Sequence, residues 1–231
     1  MTAFALVHGA WHGGWVWRRV ARILRDAGHD VITPTLTGCG ERVHLAGNHV
    51  NLSLHVTDVQ NAIRWEDLED YVLVGHSYGC AVVSAVADRD AAQMRALVCI
   101  DGFMPRDGEA VWDYTKPKHP YFVDGAGKNG GRTEPIPSEE FGINPEDLDW
   151  VKSKVVPMSI ACFMEQIDLS GALENIPTKA YVHCSGWGPS PFGAIHDQLA
   201  ETPGWQVHRI ECGHHRMIDE PETCASFLAG F

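Results

Sequence analysis

Continuous apolar segments alternate with longer amphipathic segments along most of the chain. The apolar segments predict strands over residues 4–7, 29–33, 70–75, 96–100, 179–184 and 205–212. The amphipathic segments, whose apolar positions lie three or four residues apart, predict helices over residues 15–27, 52–63, 78–87 and 191–201. Apolar strands separated by helices are typical of a parallel sheet covered on both faces. The pattern therefore predicts an α/β fold with a mainly parallel six-stranded sheet and helices on both faces.

Two local signals refine this pattern. A final helix is expected near the end of the chain, with Asp219 as its N-cap and Pro221 in its first turn. Residues 35–44 contain a single Gly-x-Gly, but the third glycine and the following helix of a dinucleotide site are missing. We therefore interpret this segment as a structural loop.

The alternation stops after Asp101. Residues 103–175 show no clean succession of strands and helices, and their glycines and prolines cluster between Gly125 and Pro145. An insertion of this length in a compact domain is usually functional. Its recurring aromatic and methionine side chains favour a packed unit over a loosely ordered loop. We expect a helical cap or lid inserted after the strand that ends at Asp101, with residues 1–102 and 176–231 forming the core.

Charge and cysteine content narrow the possible partners and location. The formal net charge is −12, whereas nucleic acids and anionic membranes bind basic surfaces, so neither partner is expected. The first residues lack the features of a signal peptide, and no segment is long enough to span a bilayer. The seven cysteines form no CxxC motif. They predict reduced, buried thiols and a cytoplasmic location.

The strongest chemical signal is a Gly-x-Ser-x-Gly pentapeptide, Gly75–Gly79, between a predicted strand and a predicted helix. A serine on such a sharp turn exposes its hydroxyl and has a helix N-terminus behind it. This context favours Ser77 as a nucleophile over a solvated serine in an ordinary turn. No cysteine occupies a comparable turn, so a thiol nucleophile is not favoured.

A serine nucleophile needs a base and a site for the oxyanion. His214 follows the last predicted strand, at the sheet edge where Ser77 lies, and His215 is its immediate competitor. The backbone N–H groups of Tyr78, after the serine, and of Ala10, in the glycine-rich turn after the first strand, are the expected oxyanion donors. His8 and His12 are four residues apart, but they lie on this turn without a third ligand, so no metal site is expected.

Together these segments resemble one family, the small α/β-hydrolases of the esterase and hydroxynitrile-lyase branch, which includes plant methylesterases and bacterial esterases. The resemblance spans nearly the whole chain and implies an α/β-hydrolase fold, a Ser–His–acid triad and no cofactor. It assigns the nucleophile to Ser77, the base to His214 and the oxyanion donors to Ala10 and Tyr78. The matching motifs are His8-Gly9-Ala10-Trp11-His12-Gly13-Gly14-Trp15, Gly38-x-Gly40-Glu41-Arg42, Gly75-His76-Ser77-Tyr78-Gly79 and Gly213-His214-x-x-Met217-x-x-x-Pro221.

The sequence departs from this branch in two places. Its lyases carry a threonine where this chain has Gly9 and a lysine where it has His215, so cyanohydrin cleavage is not expected. The loop after the penultimate strand, residues 185–190, has no carboxylate, although the triad acid usually lies there. The next carboxylate, Asp197, lies within a predicted helix and is expected on its surface. Some α/β-hydrolases place the acid one strand earlier, which would be Asp101; a turn-forming aspartate is the alternative.

These observations predict a serine hydrolase that cleaves a carboxylic ester, or a related activated acyl bond, of a small hydrophobic substrate. Neither a cofactor nor a metal is expected, and a homodimer is possible. Two alternatives stay open: a ligand-binding or weakly hydrolytic module, and a lyase or cofactor-free oxygenase on the same fold. The pocket is expected to include Gly9, Trp11, Phe103, Trp112 and Trp187.

Overall fold

The computed structural model describes residues 1–231, and its centre is a six-stranded sheet. The spatial order of the strands is β2-β1-β3-β4-β7-β8, and all neighbours are parallel, as predicted. A separate two-stranded antiparallel sheet joins β5 and β6. The strands are β1 Ala3–Val7, β2 Asp30–Ile32, β3 Tyr71–His76, β4 Met94–Ile100, β5 Arg132–Thr133, β6 Met158–Ser159, β7 Lys179–Cys184 and β8 Trp205–Ile210.

Helices cover both faces of this sheet. Right-handed crossovers place α1 on one face and α2, α3 and α8 on the other. In agreement with this, α1 packs against α10, and α2 packs against α3. The helices are α1 Arg18–Asp26, α2 Leu52–Trp65, α3 Tyr78–Asp90, α4 Val111–Tyr114, α5 His119–Lys128, α6 Pro145–Lys152, α7 Ala161–Met164, α8 Phe192–Ala200, α9 Arg216–Asp219 and α10 Pro221–Leu228. None of them combines the length and apolar character that a bilayer span requires.

The core is deepest around β3 and the helix that follows it. Every residue of β3 is buried, and α3 is buried from Tyr78 to Asp88. A Cβ atom on Gly79 would lie 2.6 Å from the carbonyl oxygen of His8. The missing side chain thus lets α3 approach the end of β1, which fixes the serine turn against the sheet.

The segment between β4 and β7 carries the insertion. It contains the four short helices α4 to α7 and the β5–β6 pair, so it is not purely helical. Its centre is aromatic: the Phe122 and Phe163 rings stack with centroids 5.1 Å apart. It also contacts the core through backbone hydrogen bonds from Val156 N–H to Trp11 C=O and from His214 N–H to Phe141 C=O, at 3.0 and 2.9 Å.

Several local predictions are corrected or refined. The helix predicted over residues 15–27 begins with a 3-10 turn, Gly14–Trp17, and becomes α-helical only at Arg18. Asp219 does not cap the last helix, which begins at Pro221 after Glu220; its carboxylate instead accepts a hydrogen bond from Asn144 N–H at 2.9 Å. The segment predicted as a loop over residues 35–44 is a loop only as far as Cys39, and a 3-10 turn, Gly40–Leu45, follows. All seven cysteines are free and buried.

Candidate active site

Ser77 lies in the sharp turn between β3 and α3. Its φ and ψ angles are 54° and −121°, a conformation that costs a non-glycine residue about 1–3 kcal/mol. Hydrogen bonds from Ser77 N–H to Ile100 C=O and from Phe103 N–H to Ser77 C=O, at 3.1 and 3.2 Å, hold the turn. The flanking residues are buried, whereas Ser77 is partly exposed. The turn thus presents one side chain at the edge of the sheet.

Asp101 and His214 meet beside this turn. The His214 ring donates its Nδ1–H to Asp101 Oδ2 at 2.6 Å, which leaves Nε2 with a free lone pair. No hydrogen bond joins Nε2 to the Ser77 hydroxyl; such bonds often tighten only when a substrate binds. His214 and Ser77 line the same cavity. His215 is also buried but lies outside that cavity.

The Asp101 carboxylate is fully buried and accepts four hydrogen bonds. Besides His214, the donors are His183 Nδ1 at 3.0 Å, Cys184 N–H at 3.0 Å and Trp187 Nε1 at 2.9 Å. Burial by itself would raise the pKa of Asp101, but the hydrogen bonds that it accepts, led by those from His183 and His214, together outweigh burial and the pKa lies below its ordinary value. The carboxylate is therefore ionised at neutral pH and can orient the His214 ring.

Two of these donors, His183 and Trp187, were not anticipated as partners of Asp101 from the sequence. His183 lies on β7, and Trp187 lies in the loop after it. That loop, residues 185–190, is the one in which the usual acid is missing. Here it supplies a donor to a carboxylate that comes from the end of β4. Asp197 is exposed and contacts Arg209 and His196, as expected for a surface residue.

The turn after β1 runs along the other side of Ser77. His8 Nδ1 lies 2.7 Å from the carbonyl oxygen of Gly9, and Leu36 N–H donates to His8 Nε2 at 3.0 Å. His8 therefore donates through Nδ1, and because C=O and N–H of a trans peptide point in opposite directions, this bond orients the N–H of Ala10. Tyr78 is the first residue of α3, where the N–H has no partner within the helix.

These groups border a cavity of about 430 Å³, within the size range of small-molecule sites. Its walls are largely aromatic, with Phe141 and Phe192 stacked near the His214 ring at centroid distances of 5.1 and 5.5 Å. The core supplies Ser77 and His214, and the insertion supplies half of the 20 lining residues. The lining aromatic residues are Trp11, Phe103, Tyr114, Phe122, Phe141, Phe163, Trp187 and Phe192.

Three of the five expected pocket residues line this cavity: Trp11, Phe103 and Trp187. The other two do not. Gly9 has no side chain, and its carbonyl points towards His8. Trp112 stacks on His119 with the ring centroids 3.7 Å apart, outside the cavity.

The strand order and the sharp serine turn after the third strand are features of the α/β hydrolases as a class. Comparison with known sequences agrees with this. A model of the alpha/beta hydrolase family matches residues 4–227, so the chain belongs to that family.

Individual relatives show which branch of the family the chain resembles. The chain is 41% identical over 239 residues to a carbendazim hydrolyzing esterase of Nocardioides sp. (strain SG-4G), covering 99% of each chain. It is 29% identical to salicylic acid-binding protein 2 of Nicotiana tabacum, over 97% of this chain and 95% of that protein. An extracellular α/β-hydrolase from a Paenibacillus species has the same fold, with a TM-score of 0.86, 23% identity and coverage of 100% and 98%. These findings confirm the predicted branch and the predicted class, an ester-cleaving hydrolase.

Proposed function

We propose that this protein is a serine hydrolase that cleaves a carboxylic ester of a small hydrophobic substrate through an acyl-enzyme on Ser77. The observation that carries the proposal is the buried Asp101–His214 hydrogen bond at 2.6 Å, beside a cavity that Ser77 also lines. A carboxylate, an imidazole and a serine at the edge of a parallel sheet are the groups that acyl transfer requires.

In the proposed mechanism, His214 Nε2 takes the proton of the Ser77 hydroxyl as its oxygen attacks the ester carbonyl. The backbone N–H groups of Ala10 and Tyr78 donate hydrogen bonds to the oxyanion. Protonated His214 then delivers its proton to the departing alkoxide. Water, deprotonated by His214, hydrolyses the acyl-enzyme and restores Ser77. Asp101 keeps the imidazole in the Nδ1–H tautomer throughout.

The cavity indicates the kind of substrate. Its aromatic walls and modest volume favour a flat, apolar acyl or carbamoyl group joined to a small alcohol. The relative named as a carbendazim hydrolyzing esterase makes carbendazim itself a substrate to assay. We further propose that residues 103–175 act as a cap that shapes this pocket, because Phe122, Phe141 and Phe163 contribute to its wall.

Covalent labelling tests the nucleophile. The active protein is incubated with a fluorophosphonate, and the modified peptide is mapped by mass spectrometry; we expect the adduct on Ser77. Ser77→Ala should abolish both labelling and ester hydrolysis, with Ser84→Ala, on the same helix, as the matched control. An active wild-type protein that carries no label on Ser77 would exclude the proposed mechanism.

The alternative functions have less support. The ligand-binding alternative depended on the loop over residues 185–190 having no carboxylate, and Asp101 can take that role. The lyase alternative is disfavoured by Gly9 and His215, and a cofactor-free oxygenase would retain its main activity in Ser77→Ala. A binding module would instead bind a small molecule tightly and show negligible turnover across a broad panel of esters.

Two further proposals concern the state of the protein in the cell. Seven free buried cysteines favour a reducing compartment, the cytoplasm; fractionation of the source cells tests this, and recovery from the medium would contradict it. The second proposal is a homodimer, which the sequence allows but does not require; light scattering of the purified protein across a concentration series tests it, and a constant monomer mass would contradict it.

A further inference from the structure

His215, the neighbour of the proposed base, takes part in a second hydrogen-bonded chain. Its Nε2 lies 3.0 Å from Nε2 of His12, and Nδ1 of His12 lies 2.6 Å from the carbonyl oxygen of Ala10. His12 is 5% exposed and His215 is 1% exposed. Neither side chain lines the substrate cavity. This chain therefore joins the His214 loop to the turn after β1 without touching the proposed substrate site.

The protons in this chain can be assigned from chemistry. A ring nitrogen that faces a carbonyl oxygen must carry the hydrogen, so His12 donates through Nδ1. Burial lowers the pKa of His12 to about 4, so the ring is neutral and Nε2 has a lone pair. His215 therefore donates its Nε2–H to His12. The chain runs in one direction, from His215 through His12 to the carbonyl of Ala10.

The turn that receives this hydrogen bond is held at three consecutive carbonyls. Gly9 C=O accepts from His8, Ala10 C=O accepts from His12, and Trp11 C=O accepts from Val156 N–H at 3.0 Å. The backbone needs such support, because Trp11 adopts a φ of +65°, which an L side chain rarely adopts. The N–H of Ala10, by contrast, donates to no acceptor within the protein.

We propose that His12, supported by His215, is a positioning residue. By holding the carbonyl of Ala10 it fixes the Ala10–Trp11 peptide, while His8 orients the preceding peptide, and the two together hold the Ala10 N–H where it meets the oxyanion of acyl transfer. This inference rests on the proposed serine hydrolase function. The His12–His215 pair would then help to stabilise the transition state and contribute little to substrate binding in the cavity.

Two pairs of amide substitutions test the assignment, because asparagine places its amide where histidine has Nδ1 and glutamine places it where histidine has Nε2. His12→Asn keeps the donor to Ala10 and should retain kcat within about fivefold. His12→Gln loses that donor and should lower kcat by about 10- to 100-fold with KM within about threefold; losing an oxyanion donor altogether costs about 10²–10³, and here the Ala10 N–H is displaced but still present. At position 215 the expected order of the two amides is reversed. His215→Gln keeps the donor to His12, whereas His215→Asn loses it and should lower kcat by about 3- to 10-fold, because His215 acts only through His12.

An arylboronic acid, which forms a tetrahedral adduct with a serine nucleophile, provides a second readout. Its inhibition constant should rise with the loss of kcat/KM across the four variants. A role in packing alone would favour the same amide at both positions, because asparagine and glutamine differ by one methylene, and would not reverse their order between positions 12 and 215. Thermal unfolding of each variant checks folding, and exposed His44→Gln is the control.

The possible results separate the inference from the function on which it rests. Equal losses in His12→Asn and His12→Gln, or full activity in a folded His12→Gln, would overturn the positioning role. If neither His12 variant folds, the same comparison between the His215 variants decides it. A wild-type protein that turns over esters without fluorophosphonate labelling of Ser77 would overturn the proposed function itself.

Discussion

The sheet edge and the insertion both border the cavity, but they are built differently. At the sheet edge, each proposed catalytic group is fixed by specific hydrogen bonds: Asp101 accepts four, and the His214 carbonyl accepts one from His76 Nε2 at 3.0 Å. The insertion contributes mainly ring surfaces, such as those of Phe122 and Phe163, which pack on each other. Hydrogen bonds fix direction as well as distance, whereas apolar packing tolerates rearrangement.

This difference indicates that the sheet edge performs the reaction and that the insertion selects the substrate. Substitutions at the sheet edge should remove reaction chemistry with little change in substrate preference. Substitutions in the insertion should change preference with little effect on the chemistry. Three substitutions test these two expectations, and a pH dependence of stability tests a further contrast between the two regions; they follow in order of decreasing expected effect.

The largest effect is expected from Asp101→Asn. An amide in place of the carboxylate favours the wrong tautomer of His214, and by the measured effect in other triads kcat should fall by about 10³–10⁴. Steady-state kinetics on an ester measures the loss, and circular dichroism checks the fold. A fall of less than about tenfold would assign the acid role to another group.

Acid should destabilise the folded protein strongly, and the groups responsible lie outside the insertion. Burial lowers the pKa of five histidines, all in the core and none in the insertion: His8, His12, His55, His76 and His215. Below a pH of about 6.5 these residues take up protons in the unfolded chain but remain neutral in the folded one, so stability falls as the pH falls.

One group opposes this trend. Burial raises the pKa of Asp219 to about 6, and its protonation in the folded state stabilises the protein as the pH falls. The five histidines outweigh this one carboxyl group. The free energy of unfolding should therefore fall by several kcal/mol between about pH 7 and pH 5, since one pKa unit corresponds to about 1.4 kcal/mol. Urea unfolding across this range measures it. An unfolding free energy that stays constant would contradict the neutral state of these rings.

A smaller effect is expected from Trp187→Phe, which keeps the ring surface but removes one of the donors to Asp101. The carboxylate should be less well fixed, and kcat should fall about tenfold, given the usual value of a hydrogen bond to a charged group. Trp112→Phe, outside the cavity, is the matched control and should stay within about twofold of the wild type. Equal kinetics for the two variants would show that Trp187 matters only as a wall of the pocket.

The smallest effect on the reaction itself is expected from Tyr114→Ala in the insertion. Tyr114 lines both the main cavity and a neighbouring cavity of about 260 Å³, so its removal should join the two. The ratio of kcat/KM for long over short acyl esters should rise about 3- to 30-fold, as expected when a hydrophobic pocket accepts a few more methylenes. Tyr121→Ala, an exposed tyrosine, is the control, and an unchanged ratio would remove Tyr114 from the pocket boundary.

The sequence was most informative where chemistry follows from local structure. Ser77 was predicted because a strand, a tight glycine-flanked turn and a helix are adjacent in the chain, and His214 because it follows the last strand directly. The structure places both on one cavity. The choice between His214 and His215 could be argued only from the resemblance, since both follow the same glycine.

The sequence was least informative where groups meet from distant segments. His183 and Trp187 reach Asp101 from 82 and 86 residues away, and nothing near either residue indicates this contact. The only available signal was indirect: a loop with no carboxylate and a tryptophan in the usual place of the acid. The pocket residues show the same limit, since Trp112 was expected in the wall but stacks on His119 instead.

What the sequence determined by itself is the order of the elements in the core, the parallel sheet and the turn that carries Ser77, because apolar periodicity and glycine placement act over a few neighbouring residues. What only the tertiary structure decided is the set of partners around each group: the four donors on Asp101 and the chain from His215 through His12 to Ala10. These contacts form between segments brought together by the sheet edge, where the direction of a side chain depends on the packing of the whole fold.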